Sequence, residues 1–212
     1  MGRPNLFYFN TTKIIAINFV FYMLALVAMM ASPKVIEYIA LRPDYILQGK
    51  YLWTILTSMF MHGSPFHLFA NMFSLFFLGS FLERLIGRKK FLWLYMIAGV
   101  VASLFFVFFA YISNSGLDTP AVGASGAIFG VAGMLAVLTP RMPVYVMFIP
   151  IAMPMWFGVL LIMFGLWIVS AAFNLPIGNL AHFGGLLVGL AYAFYLRHKY
   201  KRKTRMIANH FR

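Results

Sequence analysis

Polar residues are sparse along most of this chain, and their positions divide it into six apolar runs at 14–31, 65–82, 91–112, 125–139, 154–173 and 180–196. A hydrocarbon core of about 30 Å needs roughly 17 to 25 apolar residues of helix, which five runs meet or nearly meet. The fourth, 125–139, would extend only about 22 Å, so one of its ends must lie below the membrane surface. Its C-terminal end meets Arg141 and Pro143, so the recessed end is the one bearing Ser125, reached through 118–122. Non-helical backbone at such depth is tolerated only when packed in protein or facing a wet cavity. Ser64 and Pro65 supply an N-cap and a first helical residue for the second run. The connection at 32–64 mixes charges with Tyr38, Tyr45, Tyr51 and Trp53, which suits an interfacial element. The pattern predicts an all-α membrane protein, a six-helix bundle with a short recessed fourth helix. It reads as a single membrane domain over 1–212 that ends in a basic tail at 197–212.

Composition agrees, with 63% hydrophobic and 10% charged residues and a mean hydropathy of +0.87. A net charge of +13 raises the question of nucleic acid, but the cations flank the apolar runs, as membrane topology requires. The side holding both termini, the 83–90 turn and the Arg141 turn carries 14 of the 17 Lys and Arg residues, while Lys34, Arg42 and Lys50 lie on the other. Both termini are therefore expected on the cytoplasmic face of a cell membrane, with Ser125 opening to the non-cytoplasmic side. The tail reads as solvated and attractive to anionic head groups. The chain has no cysteine, which excludes thiol catalysis, disulfides and thiolate metal sites. The first run lacks a small-residue cleavage site after it and reads as a retained helix. Oligomeric state leaves no mark in the sequence.

Two polar residues at membrane depth invite a chemical reading. Ser125 sits in Gly123-Ala124-Ser125-Gly126 where loop becomes helix, and His182 opens the last run in Ala181-His182-Phe183-Gly184-Gly185. Gly126, Gly130 and Gly133 follow the serine, and Gly185 and Gly189 follow the histidine. These stripes let two helix backbones approach closely, and since both runs cross in one direction their packing would bring imidazole to hydroxyl. His67 and Asn71 lie one turn apart near the same end of the second run. They read either as donors to a developing oxyanion or as a buried polar pair satisfying a neighbouring helix. A metal reading of His62, His67 and His182 finds no carboxylate near them in sequence and no common zinc spacing.

These residues resemble the rhomboid family of intramembrane serine proteases over about 53–190. His62 to Asn71 is similar to the family's H-x4-H-x3-N element, Gly79-x3-Glu83-x3-Gly87 to its G-x3-E-x3-G turn, Gly123 to Gly126 to its nucleophile motif, and Ala181-His182-x2-Gly185-x3-Gly189 to its base motif. The resemblance implies Ser125 as nucleophile, His182 as general base, and His67, Asn71 and the Ser125 amide as the oxyanion site, with His62 structural. It departs at Phe129, where the family often has a tyrosine stacking on the base, and at Trp53-Thr54 in place of a Trp-Arg pair.

A serine hydroxyl needs a base near neutrality, and histidine's ordinary pKa of about 6.5 suits that task. Glu37, Glu83 and Asp44 are poorly placed to orient His182, leaving Asp118 as a remote triad candidate and a Ser125–His182 dyad supported by Phe129 as the better reading. Such acyl transfer needs no cofactor. Substrates would be transmembrane helices able to unwind. The fifth run, after Pro150 and Pro154, is the candidate for lateral movement. The rivals are an inactive rhomboid-like protein that binds membrane clients and a small transporter or channel.

Overall fold

Runs of strong apolar character without internal carboxylates form helices because a backbone in lipid must satisfy its polar groups internally. In the computed structural model, which describes residues 9–146, 149–173 and 178–211, five helices are long and apolar enough to cross a membrane. The first is Asn10–Ala31, the second Pro65–Ile86, the third Arg88–Ser113, the fifth Met155–Phe173 and the sixth Asn179–Lys199. The fourth, Ser125–Leu138, has 14 residues, about 21 Å of helix. The protein is thus an all-α, multi-pass membrane protein with a shortened fourth helix. Arg3 and Arg212, counted among the cations above, lie outside the described residues.

The fourth helix is the centre of the bundle, with 11 of its 14 residues buried. A helix apolar all round is stable only when surrounded. It packs chiefly on the sixth and third helices and also touches the fifth. Glycines make these approaches possible. A Cβ at Gly185 or Gly189 would overlap the carbonyl oxygens of Gly126 and Gly130, and one at Gly130 would overlap the Ala98 side chain. The fifth helix is the least buried of the five long ones.

Glu83, fully buried near the end of the second helix, ties down the start of the first. Its carboxylate accepts hydrogen bonds from the backbone amides of Asn10 (2.7 Å) and Thr11 (2.8 Å) and from Thr11 Oγ1 (2.7 Å). Two otherwise unpaired helical N–H groups are thereby satisfied, at the end where negative charge is favoured. Gly79 lies four residues earlier, and a Cβ there would press on Leu75, Thr11 and Phe91. Gly87 then ends the helix at φ +89°. Between Pro65–Ser74 and Ser80–Ile86, Leu75–Gly79 is a π-helical segment that keeps the second helix continuous.

The 32–64 connection contains short helices at Val35–Ile39, Pro43–Leu47 and Thr54–Thr57 and exposes Leu47, Leu52, Trp53 and Leu56. It pairs with the loop before Ser125. Leu41 and Ala121 exchange both backbone hydrogen bonds, Asp44 N donates to Leu117 O, and Gly123 N donates to Ser58 O at 2.9 Å. A two-residue ribbon, Pro143–Val144 with Met153–Pro154, joins the fourth and fifth helices.

The tail, read above as solvated, is helical, with Lys201, Arg202, Lys203 and Arg205 exposed. Residues 197–199 extend the sixth helix, and Lys201–Asn209 forms a further helix folded back on the bundle. Thr204 is buried, its hydroxyl donating to Tyr200 O, and the Phe211 ring meets Phe81. Basic composition gave no sign of these apolar anchors.

Candidate active site

Ser125 is the first residue of the fourth helix, where the amides of the opening turn have no intrahelical acceptor. Gly123, two residues earlier, adopts φ +126°, a conformation that L side chains rarely take. A Cβ there would also meet His67 Cε1 at 2.8 Å and Nε2 at 2.9 Å. Glycine therefore serves both the turn and the close seating of His67 against the serine loop.

The sixth helix brings His182 to this turn. Ser125 Oγ and His182 Nε2 are 2.7 Å apart, a short hydrogen bond between residues 57 positions apart in sequence. The glycine contacts set that distance, because the sixth helix rides directly on the fourth through Gly185 and Gly189. The His182 ring is nearly enclosed, stacked on Phe129 with centroids 4.7 Å apart and planes 24° apart. Its Nδ1 is buried and has no hydrogen-bond partner among the described residues. Asp118 therefore makes no hydrogen bond to it, and the triad reading loses its geometric basis.

The second helix supplies the remaining polar groups. Ser64 caps it by accepting from His67 N at 3.1 Å. The Gly63 amide donates to His67 Nδ1 at 3.3 Å, so a neutral His67 carries its proton on Nε2, the nitrogen beside Gly123. Asn71, buried one turn on, donates one amide hydrogen to His67 O at 2.9 Å and keeps the other available. His62 is fully buried, its ring edge-on to His67 at 5.0 Å and to Tyr22 at 6.4 Å. Its ring packs against that of His67 within the core. Burial lowers its pKa to about 3, with His67 a secondary cause.

The site thus joins Ser125, Phe129 and His182 from the fourth and sixth helices with His67 from the second, and Asn71 lies one turn after His67. A hydroxyl at 2.7 Å from an imidazole nitrogen is arranged for proton transfer, and the His67 ring lies against the loop that carries that hydroxyl. Among the described residues, no three His, Cys, Asp or Glu side chains stand together as a metal site would require. Sequence reading missed the support from Ser58 and Leu41, which hold the serine loop through backbone bonds that carry no side-chain signature.

Comparison with known proteins places the chain in a family. The family model described as Rhomboid domain matches residues 49–199. The chain is 29% identical over 168 residues to Rhomboid protein 1, mitochondrial, of Saccharomyces cerevisiae, covering 76% of this chain and 45% of that protein. It is 28% identical over 159 residues to Rhomboid protease GlpG of Haemophilus influenzae, covering 75% and 77%. It is also 33% identical over 101 residues to Inactive RHOMBOID-like protein 8 of Arabidopsis thaliana, covering 47% and 27%. The match thus spans less than half of the yeast protein and most of the bacterial one.

Proposed function

The chain belongs to the rhomboid family, and from that premise we propose that it is an intramembrane serine endopeptidase working through a Ser125–His182 dyad. The observation that carries the reading is the 2.7 Å contact between Ser125 Oγ and His182 Nε2. His182 takes the hydroxyl proton on Nε2 as Oγ attacks the carbonyl carbon of the scissile bond. The tetrahedral oxyanion accepts hydrogen bonds from the Ser125 amide, His67 Nε2–H and Asn71 Nδ2–H, aided by the positive end of the fourth helix dipole. Collapse passes the proton from His182 to the departing amine and leaves an ester on Ser125. Water, deprotonated by His182, then hydrolyses that ester. Phe129 holds the imidazole plane in place of an orienting carboxylate, a role supported by the stacked geometry.

Substrates are membrane proteins whose transmembrane segments unwind near the site, because a helical peptide bond in lipid is otherwise hidden. The basic excess favours cytoplasmic termini and an active site open to the opposite face. Both catalytic candidates are present, which favours this reading over an inactive client-binding relative.

A serine-directed covalent probe tests it. Purified protein should label at Ser125, with labelling absent in Ser125→Ala and strongly slowed in His182→Ala. Equal labelling of His182→Ala would remove the dyad.

A further inference from the structure

The second, fourth and sixth helices all begin near Ser125 and run away from it, so their far ends gather at the opposite end of the bundle. There the turn at 87–90 and the tail helix meet. Glu83 is the acidic residue at this end, and it is buried and engaged with Asn10 and Thr11. Glu37, Asp44 and Asp118 lie in the segments paired with the serine loop, at the Ser125 end.

The tail helix carries Lys201, Arg202, Lys203 and Arg205, all exposed and with no carboxylate on the helix. Lys201, Arg202 and Arg205, with Met206 and Asn209, form one exposed face of this helix. The helix is held in place. Lys90 and Lys199 lie over the Tyr200 ring at 5.3 and 5.7 Å, Thr204 is buried, and Phe211 meets Phe81. The cations therefore sit where the sixth helix leaves the membrane, and Met206, 67% exposed, presents an apolar edge beside them.

We propose that this face binds the headgroup of an anionic phospholipid, with Lys201, Arg202 and Arg205 on the phosphate and Met206 against the lipid's apolar part. Unneutralised cations at a membrane boundary attract anionic lipid, and the exposed apolar side chain favours a lipid over free phosphate. The proposal is independent of the chemistry at Ser125.

The test uses the full chain purified in detergent and native mass spectrometry with phosphatidylglycerol and phosphatidylcholine of identical acyl chains. Wild type should retain phosphatidylglycerol preferentially, and Lys201→Gln/Arg202→Gln/Arg205→Gln should retain about tenfold less. Lys34→Gln/Lys50→Gln, at the other end, should behave as wild type, and millimolar inorganic phosphate should not displace the lipid. Equal retention of the two lipids by wild type, undiminished retention by the triple variant, or displacement by phosphate would overturn the assignment.

Discussion

Phe129 faces His182 at 4.7 Å with near-parallel planes, so a ring rather than a hydrogen bond holds the proposed base. An aromatic contact of this kind is worth about 0.5 to 1.5 kcal/mol. Phe129→Ala should therefore lower kcat by up to about tenfold, while Phe129→Tyr, which keeps the ring, should stay near wild type; a Phe129→Ala enzyme of full activity would remove the ring's role. Asn71 is a sharper case, because its second amide hydrogen would be used only as the oxyanion forms. Asn71→Ala should cost about 10²- to 10³-fold in kcat with little change in KM, measured on a membrane reporter. A KM effect alone would mean that Asn71 only packs. The residue-level pattern was legible because hydroxyl, imidazole and glycines recur at helical spacing. Gly123 shows the limit, since its positive φ and its closeness to His67 depend on how the loop turns.

The fourth and sixth helices touch backbone to backbone at Gly126–Gly185 and Gly130–Gly189, and this contact sets the distance between Ser125 and His182. Gly185→Val would force the helices apart. Overpacking typically costs about 1–3 kcal/mol, and here the obstructing atom is backbone and has little freedom to move. The expected result is a lower thermal midpoint in detergent together with loss of probe labelling at Ser125; a stable, fully labelled Gly185→Val protein would contradict this packing. The glycine stripe was readable from spacing alone. Two other devices were not. The π segment at Leu75–Gly79 has no distinguishing hydrophobic pattern, and the Glu83 clamp joins residues 72 and 73 positions apart, beyond any local periodicity.

For the whole molecule, the bundle is tight around the fourth helix and loose at the fifth, which is the least buried of the long helices. A transmembrane substrate needs a lateral route to Ser125, and the fifth helix is the element that could yield with least loss of packing. A disulfide engineered between the second and fifth helices should slow cleavage of a transmembrane substrate by at least about tenfold and spare a short soluble peptide; unchanged membrane cleavage would place entry elsewhere. Helix number and the short fourth helix were legible because the demands of lipid are severe and local. The folded-back tail and the pairing of Leu41 with Ala121 were not, since both depend on contacts between distant segments. The central claim is that Ser125 and His182 together hydrolyse peptide bonds within the membrane. It is tested most directly by cleavage of a transmembrane reporter with purified wild type, Ser125→Ala and His182→Ala in detergent, with folding verified for each. Cleavage by wild type and its loss in both variants is the predicted result, and cleavage retained by folded Ser125→Ala would contradict it.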